Sequence, residues 1–514
     1  MSVTTEVRRS DPPRARAAGG LSTLVAVALA SVMLPLTVTG PAVALPKLAT
    51  ELGAGVGAAQ WVQNAYGVTF AAFLLAAGGL GDRFGRKRIL QLGSWVFLAM
   101  SLVCGLVSNI VLIDVARAIQ GVGAAGVLTS GAAILAASFE GKARTKAFGV
   151  LGASFGFGLA LGPLVAGALV GTVGWRAVFL MNVVLGLVVL TLIPKATESR
   201  DLNARSVDWG GLVTFSGSLA LVAMFFVQGP EQGWGSVSAI GALVGAAVFM
   251  VAFVLVEMRV ERPMFDLSLF RRPTFLVVVC QPFTITFGFV VLLVYLPQYF
   301  QGVGGLSATA AGTVLLPLTL PVLTLPLVCG RLAARVPLRV MLAASSALIA
   351  AGSLWLIVLQ PSSGPTGLIG PLLVFGIGVG SAFGVMDNAA VSVVPVERAG
   401  VASGIFNTMR ITGESIAIAG AGAMLASLAG SRLHGAVPGL SWAQEQKLAG
   451  DAVQGRLADS LDALPQGSRA AASHAVSQAL TSSMHTAFIV LAVLALIGAV
   501  TTYLVVRDRE LDRD

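Results

Sequence analysis

The chain of 514 residues is poor in charge, because only 11% of its residues are Asp, Glu, Lys or Arg, against about 25% in soluble globular proteins. Too few charges are present to cover the surface of a soluble protein of this length. Cysteine is also scarce, and three residues cannot form the disulfide framework of a secreted scaffold. The hydrophobic content of 56% excludes an intrinsically disordered protein. The composition therefore indicates an all-α polytopic membrane protein.

The positive net charge of +9 does not indicate a nucleic-acid partner. The 33 Lys and Arg lie in short clusters between long apolar runs, and no basic stripe with interleaved aromatic residues occurs in the sequence. Clusters of this kind are typical of the cytoplasmic loops of membrane proteins. We expect the partner of this chain to be a lipid bilayer.

Fourteen apolar runs are long enough to cross a bilayer as helices of about 20 residues. The first run is preceded by basic residues like a signal peptide, but its length of about 24 residues predicts an uncleaved span. The runs lie near 22–45, 59–80, 89–107, 110–130, 147–170, 176–194, 210–228, 236–256, 274–298, 309–329, 340–359, 367–390, 401–427 and 484–506.

The distribution of Lys and Arg predicts the orientation of these spans. With the N-terminus in the cytoplasm, 25 of the 33 basic residues lie inside, five lie outside, and three lie within or at the ends of spans. The positive-inside rule then places both termini in the cytoplasm. The longest external segment, 428–483, is rich in Ala and Ser, and short amphipathic helices and a mobile loop are equally compatible with it.

A glycine-rich basic segment, GGLGDRFGRKR at 78–88, predicts a tight cytoplasmic turn between two spans. Glycines permit close backbone approach, an Asp can cap a helix end, and basic side chains can bind anionic headgroups. A degraded copy at 330–337 indicates a repeat between two halves of the chain. The residues of this candidate conformational switch are Gly78, Asp82, Arg83, Gly85 and Arg86.

A second glycine pattern, GVGAAG at 121–126, formally matches the dinucleotide-binding motif. No strand is predicted before it, and it lies inside an apolar run. Close packing of helices through small residues explains this pattern better.

Four segments together resemble the major facilitator superfamily. The 78–88 loop resembles that superfamily's loop signature, and Leu112–Gly123 resembles its fourth-span signature. GLALGPLVAG at 158–167 resembles the fifth-span antiporter signature, and WRAVFLMN at 175–182 follows it as in the fourteen-span drug:proton antiporters. The similarity covers nearly the whole chain. In the antiporter-type helix, the residues that match are Gly158, Gly162, Pro163 and Gly167.

The resemblance implies an exporter of small lipophilic compounds that is driven by proton entry across a bacterial cytoplasmic membrane. It implies two six-helix bundles, 22–194 and 274–506, with an extra helix pair in 195–273 and tails at 1–21 and 507–514. The substrate cavity is expected between the bundles, lined by spans 1, 4, 9 and 12. No cofactor or metal is expected, and we expect a monomer.

One position departs from the family pattern. Members often carry an acid in the first span shortly before the Ala-Leu-Pro sequence, and Thr37 stands at that position here. A carboxylate that would attract cations is therefore missing, which argues against export of multiply charged cations.

Charged residues inside the predicted spans are candidates for proton coupling, because a charge at mid-membrane costs about 2.5–3.5 kcal/mol. Burial disfavours the ionised carboxylate, whereas a nearby Arg favours it, so changes of pairing can load and release a proton. Spacing pairs Asp114 with Arg117 and Arg410 with Glu414, each within one helix, and leaves Asp387 without a local base. Permanent structural ion pairs remain an alternative for the two pairs, and a water-solvated acid near a helix end remains one for Asp387.

Other classes of function have less support in the sequence. A proton-coupled importer, or an exporter of a specific metabolite or lipid, is possible on the same fold. An enzyme is not expected, since the chain contains no phosphate-binding Gly-x-x-x-x-Gly-Lys-Ser/Thr, no His-Glu-x-x-His and no nucleophile elbow. The three His and three Cys lack the spacing of metal ligands, and the cysteines are interpreted as packing residues.

Overall fold

The computed structural model describes residues 13–139, 141–193, 198, 208–260, 265–333, 335–362, 364–394, 399–437 and 439–507. Most of both predicted cytoplasmic tails, at 1–12 and 508–514, lies outside the described residues. So does most of the linker between the sixth and seventh predicted spans.

Eight helices make up the described part of the N-terminal half and of the segment after it. They are α1 (Pro13–Leu52), α2 (Val56–Phe84), α3 (Arg86–Leu106), α4 (Ile110–Ser138), α5 (Gly141–Thr172), α6 (Arg176–Leu192), α7 (Trp209–Gln232) and α8 (Val237–Glu257).

Ten further helices follow in the C-terminal half. They are α9 (Pro273–Gly302), α10 (Ala308–Val314), α11 (Leu316–Leu332), α12 (Leu338–Trp355), α13 (Ile369–Phe383), α14 (Met386–Ser392), α15 (Ala399–Leu433), α16 (Trp442–Val453), α17 (Leu457–Asp462) and α18 (Gln466–Val505). The predicted all-helical class is confirmed.

Eleven helices among the described residues are long and apolar enough to cross a membrane, or twelve if the bent pair α10–α11 forms one span. The axes of this pair differ by 49°. The two other predicted spans, near 59–80 and 176–194, lie in α2 and in the short apolar helix α6. The chain is therefore a multi-pass membrane protein, and the count of fourteen spans stays a prediction.

Helices α1 to α6 pack on one another, and so do α9 to α18, so the chain forms two helical bundles. The intervening helix α7 contacts both bundles, through α2 and through α15. Just after the C-terminal end of α7, Trp234 Nε1 donates a hydrogen bond of 3.1 Å to Ser427 Oγ of α15. This helix lies beside the junction of the halves.

The predicted external segment 428–483 is mostly helical where it is described. Helix α15 continues to Leu433, α18 begins at Gln466, and two short helices lie between them. Ser441 is the N-cap of α16 and forms a capping box with Gln444. Its side chain accepts a hydrogen bond from the Gln444 N–H, and Gln444 Oε1 accepts one from the Ser441 N–H. The amphipathic-helix alternative is the one that the structure favours.

Reporter fusions are expected to confirm the orientation of the segment around α16. Alkaline phosphatase inserted between 436 and 441 should be active, because the five-to-25 basic asymmetry places this segment outside. Phosphatase fused after Arg507 should be inactive, and green fluorescent protein at the same position should fluoresce. An inactive phosphatase at 436–441, at matched expression, would contradict the predicted topology.

Candidate functional site

A central cavity lies between the two bundles. Its empty volume is about 310 Å³, including the part open to solvent. Helices α1, α2 and α4 line it from the first bundle, and α15 lines it from the second. The lining residues are Val38, Gln63, Tyr66, Gly67, Phe70, Arg117, Ile411, Glu414, Ser415 and Ile418.

A second space adjoins the first on the outer side, since Gln63 and Ile418 line both. Helix α9 enters here through Tyr295 and Gln298. The expectation of spans 1, 4, 9 and 12 is thus only partly correct. The second and thirteenth predicted spans, in α2 and α15, line the cavity, whereas the twelfth does not. The ninth span, in α9, reaches only the outer space.

Arg117 of α4 is the buried cation of the cavity, with 1% of its surface exposed. Its Nε donates to the Val62 carbonyl at 2.7 Å, and its Nη2 donates to the Thr37 carbonyl at 3.1 Å. Its Nη1 donates to Gln120 Oε1 at 2.7 Å. The guanidinium also lies 4.3 Å from the centroid of the Tyr66 ring. Arg117 therefore joins α4 to α1 and α2.

The predicted pair of Asp114 with Arg117 is not among these contacts. The three acceptors of Arg117 are two carbonyls and Gln120, and Asp114 Oδ1 is buried without a hydrogen-bond partner among the described residues. The two side chains still interact electrostatically, as their spacing predicts, but no hydrogen bond joins them among the described residues. Carbonyls of α1 and α2 lie closer to the guanidinium than the carboxylate one turn away.

Arg410 of α15 has a further acidic neighbour besides Glu414. Its Nη1 lies 3.8 Å from Asp387 Oδ1 in α14, and its guanidinium lies 4.6 Å from the centroid of the Phe155 ring. Asp387, which has no base near it along its own helix, thus has one from another helix. The side chain of Asp387 is 51% exposed, so solvent weakens this pair.

Glu414 lies one turn from Arg410 and faces the central cavity. It is 5% exposed, and its Oε1 is buried without a hydrogen-bond partner among the described residues. A buried carboxylate oxygen without a donor is costly, so a ligand or a proton that satisfies it is stabilised. Of the three candidate acids, Glu414 is the one that lines the central cavity.

Sequence reasoning missed the neutral polar residues of the site. Gln63 lines both spaces. The central space is also lined by Tyr66, and the outer one by Asn64 and Gln298. Each has a buried oxygen without a partner among the described residues. Uncharged polar residues within apolar runs are a signal that could have found them. Only charged residues were predicted as candidates for proton coupling.

The antiporter-type helix α5 packs closely on two neighbours through its glycines. A Cβ at Gly158 would overlap the Val32 carbonyl of α1, and one at Gly162 would overlap the Thr39 hydroxyl. A Cβ at Gly167 would lie 2.5 Å from the Ala308 carbonyl of α10 in the other bundle. Only glycine permits these approaches.

The pattern at 121–126 packs in the same way. A Cβ at Gly121 would lie 2.5 Å from the Tyr66 carbonyl, and one at Gly123 would lie 2.8 Å from the Gly93 carbonyl. The interpretation of GVGAAG as a packing motif is thus supported.

The candidate switch loop joins α2 to α3 at Gly85, whose φ of 110° favours glycine. Glu198, from the linker after α6, accepts a hydrogen bond of 3.0 Å from the Lys87 N–H at the start of α3. A carboxylate at a helix N-terminus is stabilising. The side chain of Asp82 lies outside the described part of the structure, so its predicted role stays a prediction.

The two bundles are joined at their outer ends by several contacts. Thr309 Oγ1 of α10 donates to the Gly167 carbonyl of α5 at 2.8 Å. Gln298 Nε2 of α9 donates to the Ala42 carbonyl of α1 at 3.3 Å. The bundles thus meet directly on the outer side of the cavity.

Segment α16–α17 adds a second layer to this closure. Gln454 Nε2 donates to the Val56 carbonyl at 2.7 Å, and Arg456 Nη1 donates to the Ala54 carbonyl at 3.0 Å. Thr50 Oγ1 donates to Asp459 Oδ2 at 2.5 Å. These helices, which belong to the predicted external segment, therefore cover the α1–α2 connection of the first bundle.

Comparison with known proteins identifies the family. The model of the Major Facilitator Superfamily matches residues 25–418. Multidrug resistance protein Stp of Mycobacterium tuberculosis is 34% identical over 409 residues, which cover 79% of this chain and 76% of that protein. The tetracenomycin C resistance and export protein of Streptomyces glaucescens is 32% identical over 415 residues, with coverages of 79% and 76%.

A solved structure shows the same fold. The bacterial homologue of the human lysosomal transporter Spinster, in an inward-facing and occupied conformation, aligns with a TM-score of 0.62 at 16% identity. The alignment covers 97% of each chain. The chain therefore belongs to the Major Facilitator Superfamily, and it is a membrane transporter of small molecules rather than an enzyme.

Proposed function

We propose that this protein exports small lipophilic compounds, such as drugs or antibiotics, in exchange for protons. Relatives over most of the chain are named for multidrug resistance and for the export of tetracenomycin C. The observation that carries proton coupling is Glu414, a carboxylic acid in the cavity between the bundles with a buried oxygen that has no partner among the described residues.

In the proposed cycle, a proton from outside and a substrate from inside bind the cavity in alternation. A protonated Glu414 carries no charge, whereas an ionised Glu414 favours a cation or a hydrogen-bond donor. Coupling arises if the protonated and the ionised forms stabilise different arrangements of the bundles. The proton gradient then supplies the energy without a cofactor.

Movement between arrangements requires the outer contacts to break. The hydrogen bonds that Thr309 and Gln298 make across the bundles close the outer side in this structure. Release of substrate to the outside needs these contacts, and those of α16–α17, to open. The Gly85 turn and Asp82 would stabilise one of the two arrangements from the cytoplasmic side.

The proposal places the protein in a bacterial cytoplasmic membrane as a monomer with both termini inside. The basic asymmetry supports this orientation. Exposed apolar side chains on α8, such as Val244, Val248 and Val251, are suited to contact with lipid.

Proteoliposomes with an imposed pH gradient test the proposal. We expect lipophilic fluorescent dyes to move against their concentration gradient into vesicles that are acidic inside, wherever the protein's cytoplasmic face is outward. An uncoupler should abolish this accumulation. Transport that persists after the gradient has been collapsed would contradict proton coupling. Substrate movement in the same direction as protons would favour an importer.

A further inference from the structure

The two bundles also meet on the inner side of the cavity, through Arg410 of α15 and Phe155 of α5. The guanidinium lies 4.6 Å from the centroid of the ring, which is the geometry of a cation–π contact. The next residue, Gly156, packs on α11 of the second bundle, since a Cβ there would lie 3.4 Å from the Val322 carbonyl. Phe155 and Arg410 lie eight and nine residues from the predicted inner ends of their spans, or about 12–14 Å. The contact therefore joins the bundles between the cavity and their predicted cytoplasmic ends.

Arg410 has a second interaction available on its own helix. Glu414 lies one turn further along α15 and faces the cavity. Arg410 Nε is buried without a hydrogen-bond partner among the described residues, and so is Glu414 Oε1. A donor and an acceptor thus both lack a partner at a spacing of i and i+4, at which side chains on one helix can meet. Rotation of the two side chains would satisfy both atoms at once.

The other charged side chains near this pair are held elsewhere or exposed to solvent. Arg117 of α4 donates through its three nitrogens to two backbone carbonyls and to Gln120. Asp387 of α14 lies 3.8 Å from Arg410 Nη1, but its side chain is 51% exposed, so solvent weakens that pair. Helices α7 and α18 also pack on α15, and their stretches 209–230 and 486–505 contain no charged residue. Arg410 is therefore the cation best placed to respond to Glu414.

Two tyrosines face Glu414 from helices packed against α15. The Tyr295 hydroxyl of α9 is engaged, because it donates to the Ile418 carbonyl at 2.6 Å. The Tyr66 hydroxyl of α2 has no partner among the described residues, and a hydroxyl can donate to a carboxylate or accept from the acid. It therefore suits both forms of Glu414, whereas a guanidinium, which only donates, distinguishes between them.

We propose that Arg410 is a latch between the bundles and that Glu414 controls it. While Glu414 is neutral, the guanidinium stays over the Phe155 ring and joins the inner halves of the bundles. When Glu414 is ionised, the guanidinium turns to the carboxylate, because a charge-assisted hydrogen bond is stronger than a cation–π contact, and the inner side can open. Phe155 is thereby a positioning residue of the transport cycle.

This inference rests on the proposed function and deepens it. Coupling requires that the neutral and the ionised acid favour different arrangements of the bundles. The latch supplies that difference, since the neutral acid favours the arrangement with the inner side closed and the ionised acid favours the one with the inner side open.

The separation of the inner ends of the bundles tests the latch. Spin labels at Val150→Cys in α5 and Leu332→Cys in α11, both exposed positions, report this separation by double electron–electron resonance. The full-length protein, without its three native cysteines, is measured in nanodiscs over a range of pH without substrate or a pH gradient. We expect a wider separation to become populated as the pH rises, because ionised Glu414 withdraws the latch. Glu414→Gln should keep the narrow separation at every pH, since an amide cannot ionise.

Variants at Phe155 distinguish a latch from a merely structural role. Phe155→Leu removes the ring, and the ratio of wide to narrow separations at low pH should rise about tenfold from loss of the cation–π contact. Phe155→Tyr keeps a ring and should retain the wild-type pH profile. Phe157→Leu is the matched control, because Phe157 lies on the same helix with 41% of its surface exposed.

Three results would each overturn the inference. They are a wild-type separation that does not change with pH, a pH response that persists in Glu414→Gln, and a profile that Phe155→Leu leaves unchanged. Because no gradient or substrate is present, opening that follows Glu414 without proton-driven export would refute only the proposed function. Proton-driven export with a separation that is independent of pH would refute only the latch.

Discussion

Oxidation of a Gly171→Cys, Thr309→Cys double variant is expected to stop export completely, and reduction should restore it. Gly171 lies near the outer end of α5 in the first bundle, and Thr309 lies in α10 of the second. A Cβ built on Gly171 lies 3.8 Å from the Thr309 Cβ, which is the mean separation in disulfides, about 3.8 Å. The bond would lock the bundles together where we expect them to separate.

The expected effect is large because a covalent bond prevents the outer side from opening at all. Noncovalent contacts such as the hydrogen bond from Thr309 to the Gly167 carbonyl contribute about 1 kcal/mol each, so their loss alone would change rates modestly. Export is measured in everted membrane vesicles before oxidation, after oxidation with copper phenanthroline, and after dithiothreitol.

A bond within one bundle provides the control. A Cβ on Gly186 of α6 would lie 3.6 Å from the Leu98 Cβ of α3, and both helices belong to the first bundle. A Gly186→Cys, Leu98→Cys variant should form a disulfide and keep its export. Each single cysteine variant should be insensitive to oxidant. Full export by the oxidised Gly171–Thr309 variant, with the disulfide demonstrated, would contradict rigid-body opening of the outer side.

The positions of the helices could be predicted because each apolar run must satisfy its backbone hydrogen bonds within itself. The run near 309–329 shows the limit of this argument. The structure breaks it at Leu315, between α10 and α11. Pro317, Pro321 and Pro326 follow the break, and proline lacks the N–H that a continuous helix needs. Composition signals a bend but does not place it, because Pro321 and Pro326 lie inside α11 while Pro317 lies in its first turn.

The residues of the site were easier to predict than their partners. The cost of burying a charge singled out Arg117, Arg410 and Glu414 from the sequence. Their contacts come from other helices, such as the Thr37 carbonyl for Arg117 and Asp387 for Arg410. Spacing along one helix indicates the electrostatic interactions of Asp114 with Arg117 and of Glu414 with Arg410, but it contains no information about these tertiary neighbours.

Thr37 shows how the departure from the family pattern is accommodated. It is fully buried, and its hydroxyl donates to the Met33 carbonyl at 2.9 Å within α1. Its own carbonyl accepts from Arg117. The first span therefore contributes a backbone oxygen to the site, at the position where an acid is common in the family. The proposed proton coupling would then depend on acids elsewhere in the chain.

Glu414→Gln is expected to reduce proton-coupled export to background, with Asp114→Asn second in effect and Asp387→Asn third. Glu414 faces the cavity with an oxygen that lacks a partner among the described residues. Asp114 also has such an oxygen, but it does not line the central space. Asp387 is half-exposed and lies beside Arg410, so its replacement should disturb the cycle least.

The change from acid to amide keeps the size of the side chain and removes only its ability to exchange a proton. The cavity walls stay as they are, so a neutral substrate should bind Glu414→Gln with nearly unchanged affinity. The loss would then lie in coupling rather than in binding. Substrate-induced proton release in proteoliposomes measures coupling, and equilibrium binding of the same substrate in detergent measures the affinity of the cavity.

If all three variants still exchange protons at the wild-type rate, the coupling group lies elsewhere and these acids have structural roles. If Glu414→Gln loses binding and coupling together, Glu414 is a substrate ligand and not the proton carrier.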